Sequence, residues 1–304
     1  MDRFEAMSAF VRVVEAGSFT KAAETLDLPK PTVTRLIQGL ERDLRVRLLD
    51  RTTRSVTATA EGASYYERVV RLLSDLADIE STAQQSLARP SGRLRVDIAA
   101  AIATTIIVPA LPQFFKAYPD IQLELGIGNR QTDLMVDNVD CVIRAGTVDV
   151  ESLVARRIGE FQLVTCAAPD YLAAHGTPRT MGDLDDRHCL IGLVSTVTGK
   201  AIPFRFFQGS ERVQIDLPAR LSMDDTNALL VAGVAGLGIL QAPAYMVQSA
   251  LASGQLVPVL DDLGTQTVPV HVLYRPNRFL SAKVRAFIDW AVAVFERNPL
   301  LKLD

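Results

Sequence analysis

The chain has 304 residues, 48% hydrophobic and 22% charged, which are ordinary proportions for a globular protein of about two domains with a sizeable core. Its formal net charge of -3 does not advertise a nucleic-acid partner, so charge has to be read segment by segment. Three widely spaced cysteines, Cys141, Cys166 and Cys189, form no CxxC pair and argue against zinc and against a disulfide framework.

The N-terminus does not read as a signal peptide, because Arg3, Glu5, Arg12 and Glu15 interrupt its apolar residues. No stretch reaches the roughly 20 apolar residues that span a bilayer. A cytoplasmic protein with no membrane partner is expected. Phe4, Met7, Phe10, Val11 and Val14 recur at helical spacing, and Gly17 ends that helix. Ser18 caps a second helix, in which Ala22, Ala23 and Leu26 form a thin inner face. Asp27-Leu28-Pro29 is a turn. A third helix spans about Pro31 to Asp43, with Val33, Ile37 and Leu40 inward.

Two short helices and a tight turn, the second helix polar on its outer face, form a helix-turn-helix. Its second helix fits a DNA major groove, with the first residues at base edges. Those residues are Lys30, Pro31, Thr32, Thr34, Arg35 and Gln38, with Ser18 and Thr20 at the preceding helix start. A plain three-helix bundle with a solvated face is the alternative. Leu48 to Thr57 reads as two short strands around a turn carrying Arg51 and Arg54, a basic wing able to reach phosphates. From Leu28 to Ala58 seven cations face three acids, a local excess of +4 in an acidic chain.

These residues resemble the LysR-type transcriptional regulators. The likeness runs through Phe10 to Ala23, Pro31 to Arg35, Ile37 to Glu41, Leu44, Arg47 to Arg54 and Thr57 to Gly62, and the remainder of the chain fits the family as well. It implies a winged helix-turn-helix over 1–60, a linker and dimerisation helix over 61–89, and an effector domain over 90–304. It further implies a homodimer or dimer of dimers, double-stranded DNA with an inverted-repeat operator, a small-molecule effector, and RNA polymerase as a partner if the protein activates. No cofactor is implied. The residues support the dimer independently: Tyr65, Val69, Leu72, Leu76, Ile79 and Ala83 alternate four and three apart, a coiled-coil seam. Packing of this helix on its own domain is the alternative.

After Arg89-Pro90-Ser91-Gly92 strands and helices alternate, which argues for a mainly parallel α/β architecture. Leu94 to Ile98 is a strand, Thr104 to Tyr118 a helix broken early by Pro109 and Pro112, Ile121 to Leu125 and Cys141 to Ile143 strands, and Phe161 to Cys166 a strand crossing into a second lobe. The family resemblance implies the two-lobed periplasmic solute-binding fold, with lobe one over 92–162 and 268–304 and lobe two over 163–267. Ligands lie beyond the carboxyl ends of such strands. That rule selects Ala101, Thr104, Arg144, Thr147, Thr196, Thr198 and Asp224. Ala99-Ala100-Ala101 stands where many family members carry a hydroxyl, so Thr104 or Thr105 is the substitute and Arg144 the anion-binding candidate. A salt bridge for Arg144, plain loop roles for Thr196 and Thr198, and helix capping by Asp224 are the competing readings. His175, His188 and His271 lack metal-ligand spacing, the cysteines read as structural, and no nucleophile–base pair names a catalytic residue. A solute-binding protein and an enzyme are the remaining readings, both less well supported than a ligand-modulated regulator.

Overall fold

A computed structural model describes residues 2–51, 56–83, 89–130, 134, 139–146, 153–184, 188–208, 211–215, 219–276 and 280–302. The chain divides into two compact units, Met1–Ala88 and Arg89–Asp304.

In the first unit α1 (Arg3–Ala16) starts where the Asp2 carboxylate accepts from the Phe4 and Glu5 amides, and it stops at Gly17 with φ 59°. Ser18 caps α2 (Phe19–Thr25), and α3 (Lys30–Leu44) begins with Pro31 in its first turn. The buried side of α1 is Ala6, Ala9, Phe10, Val11 and Val13, whereas Phe4 is 47% exposed. Of the stripe read in the sequence, Phe10 and Val11 are thus buried, Met7 and Val14 half-buried, and Phe4 exposed. Strands β1 (Leu49–Arg51) and β2 (Val56–Ala58) pair antiparallel, and α4 (Ala60–Ala83) follows. The first turns of α4 pack on α1 and β2.

The second unit opens with β3 (Gly92–Ile98) and then one helical run, Ala100–Ala117. That run comprises α5 (Ala100–Ile102), a π-helical turn (Ala103–Ile107) and α6 (Val108–Ala117). It begins four residues earlier than the sequence suggests, because alanine is the strongest helix former and the Ala103 amide already reaches the Ala99 carbonyl. Pro109 does not break it: it sits in the first turn of α6, directly after the π turn, where a missing N–H is tolerated. The run is long and apolar enough to cross a membrane by length and composition. Ala101, Ile102, Ile106, Ile107 and Phe114 nevertheless belong to the core of the second unit.

The remaining elements are β4 (Ile121–Ile127), β5 (Cys141–Ala145), β6 (Val154–Ala167), α7 (Pro169–His175), β7 (Ile191–Val194), β8 (Ala201–Ile202), β9 (Phe204–Gln208), β10 (Glu211–Ile215), β11 (Leu221–Met223), α8 (Thr226–Val234), β12 (Leu240–Pro243), α9 (Ala244–Ala252), β13 (Val257–Pro258), β14 (Gly264–Thr265), β15 (Thr267–Tyr274) and α10 (Ala282–Arg297). The main sheet runs β12-β6-β15-β5-β3-β4, with β13 also on β6. Only β3 is parallel to its neighbours β4 and β5; the pairs β5–β15, β15–β6, β6–β12 and β6–β13 are antiparallel. The sheet is therefore mixed rather than mainly parallel. The cause is the chain path: β6 leaves lobe one, β15 returns beside it, and a strand that retraces another must run against it. The 14-residue β6 gives its first half to β15 and its last residues to β12 and β13, joining two cores. Lobe one packs α6 and α10 on the sheet around Phe114, Phe287 and Phe295. Lobe two gathers Phe204, Phe206, Leu229, Ile239 and Leu240. Its β9–β10 hairpin, with β14 on β9, had no counterpart in the sequence reading.

Candidate nucleic-acid interface and ligand cleft

Helix α3 is amphipathic. Val33, Leu36, Ile37 and Leu40 are buried against α1, while Lys30, Pro31, Arg35, Gln38 and Arg42 are exposed. Thr32 and Thr34 are half-buried, and the Thr34 hydroxyl donates to the Lys30 carbonyl at 3.0 Å. Thr34 thus keeps only acceptor capacity and a methyl group for an outside partner. The Ser18 Oγ accepts from the Lys21 amide at 3.5 Å, so Ser18 shapes the start of α2, and Thr20 beside it is exposed. Lys30, Arg35, Arg42, Arg45 and Arg47 are exposed and make no ion pair among the described residues. Exposed cations concentrated in one segment form the electrostatic footprint that a phosphate backbone meets.

The wing is held by groups that sequence reasoning did not single out. The Glu41 carboxylate, on α3, accepts from the Leu48 and Leu49 amides at 2.9 and 3.2 Å and fixes the start of β1. The Thr59 hydroxyl donates to the Arg47 carbonyl at 2.8 Å and accepts from the Gly62 amide at 2.9 Å. A Cβ at Gly62 would collide with the Leu48 carbonyl. The Thr59-x-x-Gly62 spacing, a hydroxyl N-cap three residues before a glycine, was the available signal. Arg51 lies on β1 opposite Val56, but its side chain, like all of Arg54, lies outside the described residues.

The seam residues of α4 divide. The Tyr65 ring packs on Phe10 at 5.6 Å, and burial lifts its phenol pKa even though Arg3 works the other way. Tyr65 therefore serves its own unit, as the competing reading held, because the first turns of α4 close the three-helix core. Val69 is buried at 3% exposure and Leu76 is half-buried, whereas Leu72 remains 44% exposed. The Ile79 side chain lies outside the described residues.

In the second unit several candidates converge where the lobes meet. The Thr104 hydroxyl shares its proton between the Ala100 and Ala101 carbonyls and Asn227 Oδ1 on α8, at 3.0, 3.3 and 3.2 Å. The Thr196 hydroxyl donates to the Asn129 carbonyl. The Asn129 Nδ2 donates to the Asp224 carbonyl at 2.9 Å, and its Oδ1 accepts from the Ala100 amide at 3.3 Å. Asn129 and Asn227 were missed. The strand-end rule that selected Arg144 would have found Asn129 two residues past β4.

Other candidates have internal duties. Arg144 Nη2 donates to Asp97 Oδ1 at 2.8 Å and to the Arg130 carbonyl at 3.1 Å, with side-chain exposures of 15% and 20% for the ion pair. Arg144 is an ion-pair residue here, not an open anion clamp, because β5 and β3 are neighbours and bring the two side chains together. Ala101 is buried at 4% exposure and faces the core, since it lies inside the helix and not in a strand-end loop. Asp225, not Asp224, caps α8, its Oδ1 accepting from the Ala228 amide at 2.8 Å; Asp224 offers its carbonyl and an exposed carboxylate. Thr198 Oγ1 accepts from the Lys200 amide at 3.3 Å and shapes its own loop. Thr147 lies outside the described residues. Burial pushes the Cys166 thiol up to about 12 and the Cys141 thiol higher still, while Cys189 is half-buried. Among the described residues no three His, Cys, Asp or Glu side chains converge on a metal position.

The family model described as the LysR substrate binding domain matches residues 87–296, and the one described as a bacterial regulatory helix-turn-helix protein, lysR family, matches residues 4–63. The chain belongs to the LysR family. A HTH-type transcriptional repressor of Pseudomonas aeruginosa is 38% identical over 306 residues, covering 100% of this chain and 95% of that protein. Among solved structures, CrgA of Neisseria meningitidis, described as a LysR-type transcriptional regulator, gives a TM-score of 0.62 at 31% identity, over 95% of this chain and 97% of that one. The full-length Vibrio cholerae virulence activator AphB gives 0.59 at 31% identity, over 95% and 98%. LysR-type regulators bind DNA and small-molecule effectors and form oligomers. The helix-turn-helix of the first unit and the two lobes of the second are the two parts of such a LysR-type transcription regulator.

Proposed function

We propose that this LysR-type regulator reads an inverted-repeat operator as a homodimer or dimer of dimers, with α3 in the major groove of each half-site. The observation that carries the reading is the polar edge of α3, where Lys30, Pro31, Arg35 and Gln38 stand exposed above a fully buried apolar face. Arg35 and Gln38 have the reach and donors for base edges, and Lys30 for a phosphate. Thr20, Thr32, Thr34 and the wing arginines Arg51 and Arg54 complete the contact. A two-fold assembly would present two such helices one turn of DNA apart, and the exposed Leu72 on α4 suits a partner helix. A small molecule between the lobes, beside Thr104, Thr196 and Asp224, sets the activity. Where the protein activates, RNA polymerase is the further partner, and its place of work is the cytoplasm.

A mobility-shift assay on the DNA upstream of its own gene tests this. Wild-type protein is expected to retard that DNA and to protect two half-sites about one helical turn apart. Absence of retardation for any upstream fragment at low and moderate salt would remove the operator reading.

A further inference from the structure

One side chain ties the two lobes of the effector domain together. Asn129 follows β4 on the lobe-one side. Its carboxamide sits between the Ala100 amide at the head of the helical run (3.3 Å) and the Asp224 carbonyl at the foot of α8 (2.9 Å). Its backbone carbonyl takes the Thr196 hydroxyl of the β7–β8 loop. Beside it the Thr104–Asn227 contact at 3.2 Å is a second strut between the lobes. The side chains of Asn129, Asp224, Thr196, Thr104 and Asn227 are half-buried or exposed. Bonds in such a setting are individually weak, each worth on the order of 1 kcal/mol net, so a small molecule can compete with them. The π turn of Ala103–Ile107 lies in the same helix, at the one stretch where its hydrogen-bond ladder changes register.

We propose that Asn129 is a tethered latch, holding the lobes together while the cleft is empty, and that an effector works by replacing its carboxamide between the Ala100 amide and the Asp224 carbonyl. This rests on the reading of the cleft as the effector site. The replaced group defines the ligand chemistry. It must accept a hydrogen bond on one side and donate one on the other, as an amide or a hydroxyl does. It carries no negative charge, because Arg144 is held by Asp97 and the carboxylates of Asp224 and Asp225 at the start of α8 repel an anion. Release of the latch frees α8 from α5 and lets the lobes rotate about β6.

Hydrogen–deuterium exchange on full-length protein, without ligand, tests the latch. In Asn129→Ala the Ala100 amide should exchange roughly tenfold faster, about the loss of one net hydrogen bond, and the Ala228 and Leu229 amides of α8, held by Asp225 beside the freed Asp224 carbonyl, should exchange faster as well. The β15 amides of Val270 and Val272 should stay as slow as in wild type. Asn129→Asp keeps an acceptor for Ala100 but loses the donor to Asp224, so it should protect Ala100 and still release α8. Wild-type exchange at α8 in both variants overturns the proposal, as does equal protection of both places in Asn129→Asp. Operator footprints taken on the same samples separate the two ideas. Lobes that open with no change in footprint leave the latch standing and remove the effector-cleft reading.

Discussion

At Arg144 the competing possibilities were an anion clamp and an ion pair, and the Asp97 contact at 2.8 Å decides the local chemistry. Arg144→Ala should remove this ion pair from a mostly buried carboxylate and lower stability by about 1–3 kcal/mol. A thermal melt reads this, and an unchanged midpoint would contradict it. Gly62 is a second such position. Gly62→Ala forces a Cβ into the Leu48 carbonyl, and overpacking of this kind costs typically 1–3 kcal/mol. The expected result is a lower melting point together with weaker operator binding, because Leu48 leads into the wing. Normal melting and binding would show that the backbone yields there. The thiols give a third test. With Cys141 and Cys166 fully buried and their thiolates disfavoured, native protein treated with iodoacetamide near pH 8 should gain at most one adduct, on Cys189. Two or more adducts would contradict the burial. Residue roles were legible in the sequence where periodicity fixed them, as for Val33, Ile37 and Leu40 inward and Arg35 outward. They were not legible where a side chain's partner comes from far along the chain, as with Glu41 and Leu48, or Asn129 and Asp224.

Helices and strands were the readiest part of the sequence to read, and their errors have physical causes. Alanine-rich Ala99–Ala103 was read as the connection between the first strand and a helix from Thr104, but alanine continues into helix as soon as an i−4 carbonyl is available. The short strands of lobe two carry too few residues for their alternation to stand out, so β9 and β10 were missed. Helix α4 shows both readings of an apolar stripe at work in one element. Tyr65 closes the core of its own unit, and Leu72 stands 44% exposed two turns later. Leu72→Lys should therefore weaken self-association without unfolding the first unit. Tyr65→Ala should instead lower the stability of that unit. Sedimentation velocity at micromolar concentration, paired with thermal melts, distinguishes them. A Leu72→Lys protein that sediments as wild type would take α4 out of the assembly contact.

For the molecule as a whole, the two-part plan was legible because its signals are local: a basic wing, a capped helix pair, and a Pro-Ser-Gly break. The lobe crossing was only partly so, since the paired residues of β6 and β15, from Gln162 with Thr267 to Val154 with Tyr274, lie far apart in the chain. The mixed sheet that results could not be deduced from alternation alone. An acidic chain with a local excess of +4 should bind DNA with a steep dependence on salt, because the phosphate contacts displace counterions. The central claim is that α3 reads base edges while its flanking cations hold the backbone. The most direct measurement is fluorescence anisotropy of full-length wild type and Arg35→Ala on the protein's own upstream DNA and on an unrelated duplex. The expected loss for Arg35→Ala is roughly 10- to 100-fold on the upstream DNA, the worth of one base contact at about 1–3 kcal/mol. A much smaller loss is expected on the unrelated duplex, with no change in oligomeric state. Equal affinity of both proteins for the upstream DNA would contradict the account.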